Sequence, residues 1–168
     1  MLSNEAAMVL GLAGTAVPFA GGPEEEAERW LRVLRLHGDV SSSLQAAGIG
    51  EVPIVATDGV AREAAAREAA GEGEGDGDAG TRQRDAQEVI KQVTKLATRS
   101  AQDRGARTVS TVDVLIGAME FYGDDFDRIL EAYGTDREEI LQRARAAVGP
   151  GTTSHEHEPF FGLDPRSG

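Results

Sequence analysis

Cysteine is absent from this chain of 168 residues, which excludes disulfides, thiolate metal sites and cysteine nucleophiles together. Lysine is nearly absent too. Lys91 and Lys95 are the only two, and neither stands in the GxxxxGK[ST] loop that P-loop nucleotide hydrolysis requires. Long apolar runs are also missing, because no stretch reaches the roughly 18 residues that a membrane helix needs. The sequence therefore predicts neither nucleotide binding nor a membrane span.

Positive charge is scarce. The 17 basic residues are outnumbered by 29 acidic ones, and the net charge of −12 argues against a nucleic-acid partner, since lysine and arginine supply most of that affinity. Residues 6–22 are uncharged and could be mistaken for a secretory signal, but Glu5 precedes them where a signal is positive, and Pro18 interrupts them. We expect a cytoplasmic protein.

Glycine, in contrast, is abundant, with 21 in the chain. Residues 56–83 are predicted to hold a weak helix (59–70) followed by an acidic, glycine-rich linker. The linker is predicted because the string GEGEGDGDAG at 71–80 has no apolar residue beyond one alanine. The residues from 149 to 168 lack periodicity and are predicted to be a flexible tail, although its phenylalanines could dock on the protein.

The second half carries four amphipathic helix patterns. The first runs from Asp85 to Arg104, and the second is capped by Ser110 with Asp113 and ends at Gly123. The third, which buries Phe126, Ile129, Leu130 and Tyr133, ends at Gly134. Thr135 with Glu138 predicts the cap of the fourth.

The first half repeats this order. An offset of 84 pairs Val9 with Val93 and Ala13 with Ala97, an offset of 85 pairs Trp30 with Leu115 and Leu34 with Met119, and an offset of 86 pairs Val40 with Phe126, Leu44 with Leu130 and Gly48 with Gly134. Pro18 predicts that the first helix ends or kinks near Val17, and Pro23 with Glu24 to Glu26 predicts a second start. Trp30, Leu31 and Leu34 are predicted to lie in the core.

The strings GDVSSSLQAAGI at 38–49 and AQDRGARTVSTVDVLIGAMEFYGDDFDRILEAYG at 101–134 resemble the double Clp-N motif, the tandem repeat at the amino terminus of the Clp/Hsp100 ATPases. The resemblance implies an all-α fold in which two four-helix repeats, at 1–55 and 84–148, pack with pseudo-twofold symmetry. It also implies a non-enzymatic module that needs no cofactor or metal and binds proteins or peptides.

Expected partners are therefore a Clp ATPase, its adaptors or substrates, or a cyclic peptide antibiotic, with the chain serving as adaptor, decoy or regulator of Clp-dependent degradation. Leu2 and Lys91 loosely match ligand-binding positions of the family, and Lys95 stands where an acid is common. Where relatives that bind phosphoarginine have a glutamate, this sequence has Ala27 and Val112, so that activity is not expected.

Local charge marks one candidate surface. Residues 81–107 hold seven basic and three acidic residues in an otherwise acidic chain, and helical spacing puts Arg84, Lys91, Lys95 and Arg99 opposite Val93. This basic stripe could bind an acidic partner or the chain's own acidic linker, or it could be an ordinary solvated face.

Other chemistry is weakly indicated. His155 and His157 lack the spacing of a metal site, His37 suits a helix end, and Ser41 to Ser43 read as an exposed helix start. Asp113, Asp124, Asp125 and Asp127 read as cap or first-turn residues. Two alternatives stay open: a self-associating structural bundle, and a small-molecule protein or enzyme with a cleft of convergent polar groups.

Overall fold

The computed structural model describes residues 1–49 and 76–148. These residues form seven α-helices and one short 3₁₀ turn, and no β-strand is found among them. The helices are α1 (Asn4–Ala16), α2 (Pro23–Leu36), α3 (Ser41–Ala46), α4 (Asp76–Asp103), α5 (Thr111–Tyr122), α6 (Asp124–Ala132) and α7 (Arg137–Val148). The all-α prediction is confirmed for this part of the chain, and the predicted helix at 59–70 lies outside it.

Helix α1 ends where Pro18 predicts. It stops at Ala16, and Val17–Phe19 form a 3₁₀ turn. A proline ring blocks the preceding turn of an α-helix and leaves carbonyl groups without their usual partners. Arg29 of α2 supplies replacement donors, since its guanidinium donates to the carbonyl oxygens of Ala16 at 2.8 Å and Phe19 at 2.9 Å.

Helix α2 lies at the centre of the fold. It starts at Pro23, as predicted, with three glutamates in its first turn that favour the positive end of the helix dipole. Trp30, Leu31 and Leu34 are fully buried, which confirms their predicted core positions. Helices α1, α3, α5 and α6 all pack against α2, so most of the described helices share one core.

Helix α4 corrects the predicted linker. A weak helix and the acidic linker were expected together over 56–83 and the second repeat from 84, but α4 already begins at Asp76. Each helical glycine costs roughly 1 kcal/mol, yet acids at the start of a helix interact well with its dipole. Helix α4 therefore takes in the last eight predicted linker residues, and residues 56–75 lie outside the described part.

Helices α4 and α5 pack closely against each other at Gly117. A side-chain carbon at this position would lie 2.7 Å from the Val93 carbonyl oxygen and 2.9 Å from the Ala97 nitrogen. The absence of a side chain at Gly117 thus sets how near the two backbones approach.

The predicted cap of α5 is confirmed and that of α7 is not. Ser110 and Asp113 form the predicted capping box at the start of α5. The predicted Thr135 cap of α7 is wrong: the carboxylate of Asp136 accepts the Glu139 N–H at 2.8 Å and takes the capping role. Thr135 is buried, and its own N–H donates to the Leu130 carbonyl oxygen, which keeps this residue in the turn that precedes α7.

The amino terminus is tied to the second half of the chain. The Val109 N–H donates to the Met1 carbonyl oxygen at 2.8 Å, and the Ser3 N–H donates to the Val109 carbonyl oxygen at 2.9 Å. Leu2 and Val109 thereby form an isolated parallel bridge. Within the described residues, no helix combines the length and apolar character needed to cross a membrane.

Candidate interaction surface

The four predicted cations lie on the solvent side of α4. Arg84, Lys91, Lys95 and Arg99 are all exposed. Val93 and Ala97, on the opposite side of the helix, are fully buried. We call these four cations the α4 basic face. The structure places their charges in one row along the helix, as the helical spacing predicts, but whether a partner binds there stays a prediction.

Half of the α4 basic face is partly neutralised by its own helix. Lys91 lies 3.6 Å from the Glu88 carboxylate, and Arg99 lies 3.9 Å from that of Asp103. Both pairs are largely exposed, and exposed ion pairs are weak, so a ligand could break them. Arg84 and Lys95 make no ion pair among the described residues.

Part of the acidic linker belongs to α4. Asp76 and Asp78 lie in the first turn of this helix, so the backbone of Asp78 lies about 20 Å along the axis from that of Lys91. Glu72 and Glu74 lie outside the described residues, and binding of the linker to this face stays a prediction.

Leu2 occupies a different place from the four cations. It is 39% exposed and pairs with Val109, in the loop that follows α4, rather than lying on α4. Leu2 was predicted to join the cations in a binding site only because of the resemblance to the Clp-N motif. In the structure its position is fixed by backbone hydrogen bonds around Val109.

A groove of about 520 Å³ lies between the second half of α4, α5 and the end of α7. Its charged and apolar lining residues are Arg99, Asp103, Arg104, Val112, Ile116, Glu120 and Arg145. We call it the arginine groove. Sequence reasoning identified only Arg99 of its three arginines. Arg104 follows the end of α4 and falls outside its regular spacing, and Arg145 lies on α7.

Arg104 is held in the arginine groove by a buried carboxylate. Asp113 is fully buried, and its Oδ2 lies 2.6 Å from Nη2 of Arg104. The Ser110 N–H and the hydroxyls of Ser100 and Ser110 also donate to this carboxylate, at 2.8–3.0 Å. Burial by itself would raise the pKa of Asp113, but these hydrogen bonds outweigh it and hold the pKa below its usual value. Asp113 is therefore charged at neutral pH.

A second polar network runs from the core to the surface. The Trp30 indole N–H donates to the Tyr122 hydroxyl at 3.1 Å, and that hydroxyl donates to Oε2 of Glu26 at 2.7 Å. Burial raises the pKa of Glu26; the Tyr122 hydrogen bond lowers it and the nearby Asp85 raises it further. Burial, with the neighbouring Glu26, also raises the pKa of Tyr122.

The Glu26 network bears on the enzyme alternative. Glu26 and Asp85 line the same cavity, which is the kind of acid pair that catalysis can use. Its volume is only about 100 Å³, however, and ligand sites usually enclose about 300–1,000 Å³. Of the described residues, no three acids or histidines are grouped as a metal site would need.

Glu28 is buried without a hydrogen-bond partner for its Oε1 atom. Its nearest cation is Arg32, at 3.9 Å, and burial raises the pKa of Glu28. No sequence pattern predicted the burial of Glu28, because a glutamate in an amphipathic helix normally faces solvent.

The remaining polar candidates have structural roles where they are described. Ser43 is buried, and its hydroxyl donates to the Arg143 carbonyl oxygen at 3.2 Å, so the predicted exposure of the serine run is wrong at this position. Asp125 pairs with Arg128 and Asp127 with Arg137. His37 follows the end of α2, and His155 and His157 lie outside the described residues.

Comparison of the chain with protein-family models, with curated proteins and with solved structures finds no match.

Proposed function

We propose that this chain is a non-enzymatic protein- or peptide-binding module of the Clp-N type, built from two related repeats. The observation that carries the proposal is that the same turn ends α3 and α6, at positions 86 residues apart; a turn of this kind also ends α4 at Gly105. Gly48 and Gly134 have φ values of 88° and 77°, a region that glycine enters without strain. The next N–H, from Ile49 or Thr135, donates in each case to the carbonyl five residues back, at 3.1 Å.

Burial supports the same repeat. Six aligned apolar pairs are buried in both halves, at an offset of 84 for α1 and α4, 85 for α2 and α5, and 86 for α3 and α6, whereas the paired Gly48 and Gly134 are exposed. The six buried pairs are Val9 with Val93, Ala13 with Ala97, Trp30 with Leu115, Leu34 with Met119, Val40 with Phe126, and Leu44 with Leu130. The offset grows by one residue at each step, as one inserted residue between helices would cause, and the repeated burial supports the proposal of two related repeats.

The proposed partner is a Clp ATPase, one of its adaptors or an unfolded substrate, with a cyclic peptide antibiotic as a further ligand class. The chain would act in the cytoplasm as adaptor, decoy or regulator of Clp-dependent degradation. Ala27 and Val112 replace the glutamates of relatives that bind phosphoarginine, and both are buried alanine or valine side chains here. We therefore propose recognition of a partner that does not depend on phosphoarginine.

The α4 basic face is the proposed contact surface for an acidic part of that partner. Lys95 is its best probe, because it is exposed and unpaired among the described residues, so replacing it disturbs no internal ion pair. Arg107 offers a matched control: it is also exposed and unpaired there, but it lies in the loop after α4.

The test measures binding of purified Clp ATPase to the intact chain, to Lys95→Glu and to Arg107→Glu at two salt concentrations. We expect Lys95→Glu to weaken binding about threefold to tenfold, and salt to reduce the difference, because surface charges are screened. Equal binding by all three proteins would keep the module and reject the α4 basic face. No binding of the ATPase, an adaptor or a substrate by the intact chain would reject the Clp function.

A self-associating bundle is the second candidate, and the outer face of α1 favours it. Met8 is 53% exposed, and Phe19, just beyond the helix, is 71% exposed, with Leu12 between them. No charged residue occurs from 6 to 23 to oppose an apolar contact. Mass measured over a range of concentrations tests this candidate, and Met8→Lys should abolish any dimer that forms through α1.

A further inference from the structure

We propose that the arginine groove binds a segment of the same chain, residues 154–164. The sequence of this segment, SHEHEPFFGLD, joins carboxylates to adjacent phenylalanines. The inference goes beyond the proposed function, because it assigns an intramolecular ligand to a groove that shares only Arg99 with the α4 basic face. It concerns the protein alone and does not require a Clp partner.

The groove offers guanidinium groups that still have N–H donors for a carboxylate. Arg145 makes no ion pair among the described residues, and the 3.9 Å between Arg99 and Asp103 is too long for a hydrogen bond. Arg104 meets Asp113 through Nη2, whereas a guanidinium has five N–H donors. Because Asp113 already fixes the position of Arg104, a ligand would lose little side-chain entropy on binding it.

The groove is also partly apolar. Val112 and Ile116 of α5 lie beside the arginines, and Ile116 keeps part of its surface accessible. A purely charged ligand would leave this surface in contact with water. The Phe160 and Phe161 side chains would cover it, while Glu156 and Glu158 lie two to five residues away in sequence and could meet the guanidiniums.

Residues 154–164 are covalently connected to α7, which lines the arginine groove. Arg145 lines the groove only three residues before Val148, where α7 ends. Glu158 follows ten residues after Val148, and ten residues span at most about 36 Å. A tether of this length gives the segment an effective concentration on the order of millimolar, so individually weak contacts are enough for binding.

The acids of the groove limit what it accepts. Asp103 and Glu120 line it together with the three arginines, so it does not suit a densely charged polyanion. It suits a ligand with a few carboxylates and a large apolar part, which is the composition of residues 154–164.

The test uses the full chain with a spin label. Since the protein has no cysteine, Ser167→Cys provides a single attachment site. Paramagnetic relaxation of the Ile116 methyl groups is measured in this protein, in Arg145→Glu and in the double variant Arg145→Glu/Glu158→Arg. Arg84→Glu is the matched control, because it makes the same charge change about 22 Å away from Arg99 along α4.

We expect strong relaxation at Ile116 in the parent and in Arg84→Glu. In Arg145→Glu the ratio of bound to free segment should fall roughly threefold, and the double variant should restore it. Equal relaxation in the parent and Arg145→Glu would overturn the proposal, as would relaxation that appears only between mixed labelled and unlabelled molecules. Helix content and thermal unfolding of each variant show whether the fold is intact.

Discussion

The buried carboxylate of Asp113 and the half-exposed guanidinium of Arg104 lie 2.6 Å apart, at the junction of α4, α5 and the loop between them. The same carboxylate caps α5 through the Ser110 N–H and accepts the Ser100 hydroxyl from α4. One side chain thus fixes the start of a helix, the end of its neighbour and the position of a cation in the arginine groove.

Replacing Asp113 with alanine should lower the free energy of unfolding by about 3 kcal/mol, because several donors lose their acceptor inside the protein. Asp103→Ala is the matched control. It removes an exposed acid 3.9 Å from Arg99 and should change stability by less than about 0.5 kcal/mol. Urea unfolding measures both, and equal losses would show that the Asp113 network contributes no special stability.

The Asp113 contribution should depend on pH with a defined sign. The native pKa lies below the usual value, so the charged form is stabilised in the folded state. The stabilisation is complete above about pH 4, near the unfolded pKa, and is lost as the pH falls through the native pKa. The stability difference between the parent and Asp113→Asn should therefore narrow below pH 4, and a constant difference would contradict this assignment.

The contribution of Glu28 to stability should change with pH in the opposite direction. Its native pKa is raised by burial, so the protein becomes less stable as the pH rises through that pKa and Glu28 ionises. Glu28→Gln should stabilise the fold by roughly 1 kcal/mol at pH 7, because a buried amide costs less than a buried carboxylate whose ion pair with Arg32 is as long as 3.9 Å. The gain should vanish near pH 4. Glu131→Gln, at an exposed position, is the control and should show no pH-dependent gain.

Two glycines in helices should respond in opposite directions to alanine. Gly117→Ala would put a carbon 2.7 Å from the Val93 carbonyl oxygen, so α4 and α5 must separate at a cost of about 1–3 kcal/mol. Gly11→Ala meets nothing within 4 Å and should stabilise α1 by about 0.5–1 kcal/mol. Thermal unfolding separates the two, and similar shifts would mean that the Gly117 contact is not tight.

Tyr122→Phe should remove the link between Trp30 and Glu26. The indole N–H loses its acceptor inside the core, which should cost about 1–2 kcal/mol. Trp30 is the only tryptophan, so its fluorescence reports on this site directly. An unchanged emission spectrum and unchanged stability would show that the Trp30 hydrogen bond is dispensable. Phe121→Leu, at the neighbouring exposed position, is the control.

Local signals in the sequence predicted most of the helix boundaries. Pro18 marked the end of α1, Pro23 the start of α2, and Ser110 with Asp113 the cap of α5, because each of these effects acts within one helical turn. Gly123 and Gly134 also end their segments as expected. The Thr135 cap failed because a turn with its own hydrogen bonds extends one residue further than the capping pattern suggests.

Contacts between distant residues could not be predicted in this way. Tyr122 meets Trp30 across 92 positions, and Arg145 joins Arg104 in a groove only after α7 has packed beside α4 and α5. No periodicity within one helix encodes such a meeting. The same limit explains Leu2, whose place beside Val109 depends on backbone hydrogen bonds between residues more than a hundred positions apart.

The bridge between Leu2 and Val109 also sets an order of events during synthesis. Met1 and Ser3 have their hydrogen-bond partner at Val109, more than a hundred positions later, so the start of α1 cannot complete its native contacts until the loop after α4 has been translated. Such distant pairings slow folding, because a large loop must close before they form. A nascent chain stopped before residue 109 would lack this bridge and the contacts of α1 with α5, which leaves part of the apolar surface of α1 uncovered and favours aggregation at that stage.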